Sequence, residues 1–369
     1  MLPMRGMMKS ARVSPLPKFV RLWTETRGCR SAESALSGRP FQRVHGRLRP
    51  LTTGALWLLA IGFGVEQGHA EPSKLPPEVG YNYGEVETAR IAGTAQSQRA
   101  LSNSASALYS NPANIVATRV YHIAGLLELH TPEAQRRTLG LAAVDSVTNG
   151  SIGAGLGLNW SRQDTEGINR DYMDARLAIA APVSDSLAIG VGGRYLKLKQ
   201  LGQGPLGVSL ASSGLGADPI VSDLGLDAGA TVKLTPEFSI AAVGMNINNP
   251  DNGFMPTSAS LALGLSLPNV AVGADLTFDF TTWQKTTLRP ALGVEALLGD
   301  NFPVRAGYRY DEGARSHAVA AGVGYLDTSI GIDIAGRRVV SGDTSTAFMA
   351  TFTYFLESSG LASSPTESF

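Results

Sequence analysis

The chain carries little charge. Only 17% of its 369 residues are charged, and 31 basic side chains balance 31 acidic ones. A protein that binds nucleic acid usually presents a basic surface to the phosphates, and no such surplus is available here. We therefore expect no nucleic-acid partner.

Cysteine and the usual catalytic motifs are also scarce. The single cysteine, Cys29, lies in a segment that we expect to be removed on export, which excludes a disulfide framework, a thiolate metal site and a lipid-bearing cysteine. No Gly-rich phosphate loop, zinc spacing or nucleophile elbow is present. The histidines outside residues 1–70 are His122, His130 and His317, and we interpret them as interfacial side chains near strand ends. We expect no enzyme, metal or cofactor.

Long apolar runs are missing after Ala70, so no transmembrane helix is predicted there. One shorter run, Leu51 to Val65, is followed by the small-x-small pattern Gly68-His69-Ala70. A basic segment, an apolar run and a small-residue site indicate a secretory signal, and the run is short of the roughly 20 residues of a membrane anchor. The basic residues that precede it are Arg43, Arg47 and Arg49.

The segment before Arg43 is long for a signal, so we hypothesise that translation begins near Val44. Mass spectrometry of the precursor would test this hypothesis. Residues 1–70 are accordingly predicted to be an N-terminal extension plus signal peptide, removed from the mature protein.

Alternation with a period of two dominates the remaining sequence. Between Asn269 and Phe280, apolar residues such as Val272 and Leu276 alternate with small or charged ones such as Asp275 and Asp279. Such a pattern predicts strands with one apolar and one polar face. Charged residues occupy the polar face of several strands and leave the apolar face free of charge, as a lipid-facing band requires. They include Asp227, Asp275, Asp279, Glu295, Arg305, Arg309 and Asp333.

A soluble β-sandwich also alternates, and the connection lengths separate the two folds. Short turns are predicted after even-numbered strands and longer links, including 200–221 and 336–344, after odd-numbered ones. This parity is typical of membrane barrels with short periplasmic turns. We predict an all-β fold, a 14-stranded antiparallel transmembrane β-barrel spanning 119–356. Its strands are 119–130, 136–145, 151–162, 171–181, 185–199, 222–234, 237–247, 257–267, 269–281, 287–298, 302–310, 316–325, 328–335 and 345–356.

Residues 71–118 do not alternate and are predicted to form a separate periplasmic hatch, or plug, segment. Ser102 to Tyr109 is predicted to be a short helix capped by its Ser and Asn side chains. Asn111, Pro112 and Ala113 end it, because proline pushes the preceding residue out of the helical region.

The octapeptide from Ser106 to Ala113, placed just before the first strand, resembles the NPA hatch element of the long-chain fatty-acid transporter (FadL-type) family and its PorV-type relatives. The pattern Gly293-Val294-Glu295, followed by Pro303 to Tyr310, is similar to a late hairpin of the PorV branch. Asn114 stands where the family commonly has glycine. The resemblance implies a barrel that is plugged from the periplasm, catches apolar ligands at its outer loops and releases them sideways through the wall.

Two functions are implied by the resemblance. One is uptake of long-chain fatty acids or other hydrophobic compounds through the outer membrane. The alternative is a non-enzymatic, PorV-like barrel that binds partners in protein secretion. The late hairpin favours the second function and the apolar long link favours the first. Apolar residues of that link form a ligand-capture surface or pack on one another: Leu201, Leu206, Val208, Leu210, Leu215 and Ile220.

The charges on the polar face also have two interpretations. Arg194, Arg305 and Arg309 are able to bind a ligand carboxylate through charge-assisted hydrogen bonds. Alternatively, they pair with Glu295 and with aspartates such as Asp275 and Asp279 to satisfy a polar interior.

We expect the protein in the outer membrane of a Gram-negative bacterium, exported by its signal and surrounded by membrane lipid. Barrels of this class often end in an aromatic residue that the barrel-assembly machinery reads. Phe355 at the end of the last strand and Phe369 at the end of the tail, residues 357–369, are both candidates.

Overall fold

The computed structural model describes residues 86–131, 135–164, 169–200, 219–342 and 345–356. The predicted signal, the capture residues Leu201 to Leu215 and the C-terminal tail all lie outside these ranges. The described residues include most of the predicted barrel and residues 86–118 of the predicted hatch segment.

The prediction of fourteen antiparallel strands is confirmed, and they close into a barrel. Each strand pairs with its sequence neighbours, and β1 also pairs with β14, so the sheet formed by the described residues is closed on itself. The strands are β1 Tyr121–Thr131, β2 Arg136–Asp145, β3 Gly153–Gln163, β4 Arg170–Pro182, β5 Leu187–Gln200, β6 Pro219–Lys233, β7 Phe238–Met245, β8 Ser258–Ser266, β9 Val270–Asp279, β10 Thr287–Leu298, β11 Phe302–Asp311, β12 Ser316–Leu326, β13 Ile330–Ser341 and β14 Thr346–Phe355.

The two faces of the wall have opposite chemistry. On β10 the outward Leu292 is 55% exposed, whereas the inward Arg289 is 6% exposed. Soluble monomers rarely expose continuous apolar surface on this scale, so the outside is a lipid-facing belt. Its members include Leu139, Leu141, Leu156, Trp160, Leu177, Val191, Leu224, Leu261, Leu292, Val323, Ile334, Phe348 and Phe352.

The predicted end of the thirteenth strand was wrong. β13 continues to Ser341, and most of the predicted 336–344 link is strand. Its extension pairs with β14 as far as Arg338, while Arg337 turns inward to bond Glu87. The strict alternation of link lengths was also wrong, and the extension of β13 accounts for one of the three exceptions. Links 132–135, 312–315 and 342–345 are as short as the even-numbered turns, and the long links are 201–218 and 246–257.

Residues 86–118, which we call the lumen segment, lie inside the barrel against inward-facing side chains. The segment contains helix α1 Ala89–Gly93, helix α2 Ser104–Ser110 and a 3-10 helix Pro112–Val116. Within the described ranges, every helix is too short or too polar to cross a bilayer. α1 packs against β11–β14, α2 against β1–β4, and the 3-10 helix against β3–β6.

The predicted helix at Ser102–Tyr109 exists, shifted to Ser104–Ser110, and its predicted capping was wrong. The N-cap residue is Asn103, whose side chain makes no cap hydrogen bond. Its Oδ1 instead accepts from Arg90 Nη1 at 2.6 Å. The tertiary contact therefore takes the oxygen that the local sequence would assign to the cap.

Candidate functional site

Asn111 and Asn114 fasten the lumen segment to the wall. Asn111 has extended backbone (φ −154°), as predicted for a residue before proline, and its Oδ1 accepts from the Ala113 amide at 3.1 Å. Asn111 Nδ2 donates to Thr231 Oγ1 on β6 at 2.9 Å, and the same hydroxyl donates to Asn114 Oδ1 at 2.6 Å. The residue that replaces the family's usual glycine is therefore half of a two-asparagine clamp on Thr231.

The same two asparagines organise the lumen segment itself. Asn111 Nδ2 and Asn114 Nδ2 both donate to the Arg99 carbonyl, at 2.8 and 3.0 Å. Both side chains are fully buried. Buried amides left without partners cost about 1–3 kcal/mol, so these bonds fix one arrangement of the turn.

Inward-facing glycines allow the lumen segment to approach the wall closely. A Cβ at Gly190 would lie 2.5 Å from the Ala113 nitrogen, and one at Gly229 would meet the Asn111 amide. The sequence shows these glycines only as the small face of alternating strands. In the structure these glycines form the surface against which Asn111–Ala113 packs. Gly273, Gly293 and Gly307 form a second such surface, against which Thr94–Ser97 packs.

An ion-pair network holds α1. Arg90 donates to Glu295 through Nε at 3.0 Å and Nη2 at 2.9 Å. Arg305 bonds the same carboxylate and also Asp333 Oδ1, each at 2.5 Å. Charge-assisted, bidentate bonds of this kind are among the stronger polar contacts in proteins.

A second network holds the start of the lumen segment. Glu87 accepts two hydrogen bonds from Arg337 Nη1, at 2.9 and 2.8 Å. The Glu87 amide donates to Glu128 on β1, and Glu128 also pairs with Arg136 at 3.2 Å. These four residues are buried, so this contact is a compact polar latch between the lumen segment and strands β1, β2 and β13.

Further bonds connect the middle of the segment. Arg99 Nη1 pairs with Asp275 at 3.1 Å. Tyr109 donates to Asn159 Oδ1 at 3.1 Å, and its ring lies 4.9 Å from the Arg176 guanidinium carbon. Burial raises the pKa of Tyr109 to about 12, so the phenol is neutral and acts as a donor.

The six charges proposed from the sequence all lie on the inward face. Glu295 and Arg305 belong to one network, whereas Asp275 bonds the lumen segment. Arg194 pairs with Asp174 at 2.5 Å, and Asp279 pairs with Arg289 at 3.4 Å. Arg309 is buried on β11. For the other five, the intramolecular pairing interpretation is the one that the geometry supports.

A small cavity lies between the lumen segment and the wall. Its volume is about 40 Å³. An engineered cavity that binds benzene has about 150 Å³, so this arrangement has no room even for one aromatic ring. Its lining includes Ile91, Arg99, Tyr109, Arg194, Asn246 and Pro256.

An apolar cluster interrupts the polar lumen near the long links. Leu196 and Leu198 on β5 are 0% exposed, although they face inward. Tyr172 packs edge-on against Phe254 with ring centroids 6.2 Å apart, and Arg170 lies over the Phe254 ring. The cluster is Tyr172, Leu196, Leu198, Ile220, Val221, Phe254 and Met255. Sequence alternation did not single it out, because its strand residues occupy the face on which the charged residues of other strands lie.

The wall has a break between β6 and β7. Paired backbone runs only from Ala228–Gly244 to Lys233–Ser239, so residues 219–227 of β6 lack a β7 partner. The link 246–257 covers this edge instead. Asn248 bridges it, accepting from the Leu226 amide at 2.7 Å and donating to the Leu224 carbonyl at 2.7 Å. Met245 and Asn246 border both this break and the cavity.

Comparison with known proteins finds likeness in structure but not in sequence. No protein family model and no curated protein sequence matches the chain. A Pseudomonas aeruginosa FadL homologue matches with 15% identity and a TM-score of 0.53, covering 73% of this chain and 98% of its own.

Two hydrocarbon channels give the same picture. The CymD monoaromatic hydrocarbon channel matches at 13% identity and a TM-score of 0.55, covering 75% of this chain and 98% of its own. The Ralstonia pickettii toluene transporter TbuX matches at 12% identity and a TM-score of 0.52, covering 74% and 99%. The chain has the fold of these three proteins.

Proposed function

We propose that the protein is a channel for hydrophobic compounds in the outer membrane of a Gram-negative bacterium. The observation that carries this proposal is the inward-facing apolar cluster around Leu196, Leu198 and Phe254, which includes no residue of the lumen segment, unlike the apolar cluster around Ile115 and Val144. A water-filled pore for polar solutes is lined by polar side chains, whereas an apolar surface binds apolar compounds. The solved structures of the same fold include transporters of toluene and other hydrocarbons.

In this proposal the lumen segment is the hatch. It is bonded to the wall through Asn111, Glu87, Arg90 and Arg99, and the cavity that borders it is too small for a ligand. A ligand held at the apolar cluster therefore passes only after part of the segment moves. Because several directional polar bonds hold the lumen segment, it is expected to return to the same closed position after each opening.

The proposed exit is the break between β6 and β7. It adjoins both the cavity, through Asn246, and the apolar cluster, through Met255. Exit through the wall would deliver an apolar compound directly into lipid. Moving the 246–257 link breaks few backbone bonds, because side-chain bonds from Asn248 and Asn252 hold much of it to β6.

Binding to the purified, folded barrel tests the proposal. Saturable binding of tritiated oleate or toluene in detergent is expected. Folded protein that binds neither probe would eliminate the channel for hydrophobic compounds. The alternative role as a secretion scaffold draws no support from the three solved structures described above.

A further inference from the structure

Basic side chains form a row on the lipid-facing side of one part of the wall. Arg137 on β2 is directly opposite Arg162 on β3, which is opposite Asp171 on β4, which is opposite Lys199 on β5. Lys197 is the next outward residue on β5. Four cations and one carboxylate therefore share a surface across four adjacent strands.

This row borders the apolar belt directly. The next outward residues on the first three strands are Leu139, Trp160 and Met173, and all three are exposed hydrophobic side chains. The row lies at the end of the strands where the long links occur. Elsewhere on the barrel, the corresponding outward positions of β9 and β10 are Phe278 and Leu288, which pair with each other. Positive charge is thus concentrated on β2–β5 at this end of the barrel, and β13 contributes the outward Arg338.

The row has an excess of positive charge, because Asp171 is the one carboxylate among four cations. Like charges directly opposite each other in a sheet are destabilising, and Arg137 faces Arg162. Arg162 donates to the Asn169 side chain at 3.1 Å, a neutral partner. In the part of the chain that the structure describes, no carboxylate forms an ion pair with Arg137, Arg162, Lys197 or Lys199.

We propose that this row is a binding surface for the phosphate groups of an outer-leaflet glycolipid of the lipid A type. Arginine binds phosphate in a bidentate manner, and an anion between Arg137 and Arg162 converts repulsion into two attractions. A phosphate attached close to acyl chains is able to contact the row and the apolar belt below it at the same time, whereas a free phosphate contacts the row alone. The inference concerns the lipid around the barrel and does not depend on what the barrel transports.

The test compares purified barrels in detergent, mixed with diphosphorylated lipid A or with dephosphorylated lipid A, by native mass spectrometry. Wild type is expected to retain the diphosphorylated form at least about tenfold better, and R137Q/R162Q to lose that preference. The matched control K285Q/R338Q removes two outward or exposed cations from the opposite side and should behave as wild type.

Equal retention of the two lipids by wild type would overturn the proposal, as would an unchanged preference in R137Q/R162Q. Competition by free inorganic phosphate at equal concentration would assign the row to soluble anions instead. If R137Q/R162Q does not fold, the preference of wild type for diphosphorylated over dephosphorylated lipid A still tests the proposal. The preference must weaken as ionic strength rises, and a salt-independent preference contradicts an electrostatic site.

Discussion

Gly229 on β6 lies directly against Asn111 of the lumen segment. A Cβ built on Gly229 would be 3.3 Å from Asn111 Cγ. Across a disulfide, the distance from one Sγ to the partner's Cβ is about 3 Å, so cysteines at these two positions are placed to bond. This contact allows the lumen segment to be locked to the wall by a single covalent bond.

The N111C/G229C variant tests whether the lumen segment must move. We expect ligand uptake by cells to be lost when the disulfide is oxidised and restored when it is reduced. The mature chain has no cysteine of its own if residues 1–70 are removed, so no competing thiol is expected. Because both states lack the Asn111 amide, the comparison isolates the bond. Unchanged uptake with complete oxidation would show that the segment is not the gate.

Removing the clamp without locking it should have the opposite effect. Asn111→Ala deletes the bonds to Thr231 and to the Arg99 carbonyl. We expect this to destabilise the packing of the lumen segment on the wall by about 1–3 kcal/mol. Ion conductance in planar bilayers is expected to rise. Asn301→Ala is the matched control, because the Asn301 side chain donates to the Leu326 carbonyl within the wall. Equal conductance in the two variants would mean that the clamp does not close the lumen.

The Glu295 network provides a second way to loosen the segment. Glu295→Gln leaves Arg90 and Arg305 without their shared carboxylate, and because Glu295 is partly exposed we expect a cost of about 1–3 kcal/mol, below that of a fully buried pair. Limited proteolysis within the lumen segment should become faster. Glu312→Gln breaks the exposed pair with Lys285, keeps a side-chain oxygen for the Leu288 amide, and should leave the cleavage rate unchanged. Similar rates in wild type and E295Q would remove this network from the closure.

The apolar cluster should determine ligand affinity. The double variant L196A/L198A removes two buried inward side chains, and we expect oleate or toluene binding to weaken by roughly tenfold or more. The control L139A/L141A makes the same change on outward positions of β2 that are 63% and 58% exposed. Binding measured on both folded proteins separates capture from a general loss of apolar surface. Equal affinities would exclude the cluster as the binding surface.

The break between β6 and β7 allows another covalent test. A Cβ on Gly225 would lie 3.1 Å from Asn246 Cγ, so G225C/N246C should form a disulfide across it. Oxidation is expected to block uptake without reducing ligand binding. G140C/N159C, which joins paired residues of β2 and β3, is the control and should respond little to oxidation. Uptake that survives a complete Gly225–Asn246 bond would place the exit elsewhere.

The barrel was predictable from the sequence because strand period and turn positions are local signals. Alternating residues such as Leu292 and Arg289 identify the two faces without knowledge of the partners. β13 was cut short because Gly336-Arg337-Arg338 has the composition of a loop. Its backbone nevertheless pairs with β12 and β14, and the Arg337 side chain bonds Glu87, which is 250 positions away. A side-chain contact that distant leaves no trace in a local pattern.

The site was less predictable than the wall. The Asn111-Pro112-Ala113 turn was visible, yet its role as a clamp requires Thr231 and the close approach at Gly229. Inward glycines at equivalent positions on neighbouring strands indicate that another segment approaches the wall closely there, and such glycines are present in the sequence. The apolar cluster depends on Phe254 and Met255 folding back from a link, which alternation does not describe.

Uptake of a hydrophobic compound by intact cells tests the central claim most directly. The protein is expressed in a Gram-negative host that lacks a channel of this fold, and accumulation of radiolabelled oleate and toluene is followed with time. We predict saturable uptake of at least one probe above the empty-vector strain, abolished by oxidation of N111C/G229C. Uptake that equals the empty-vector strain, with the folded barrel present in the outer membrane, would contradict the account.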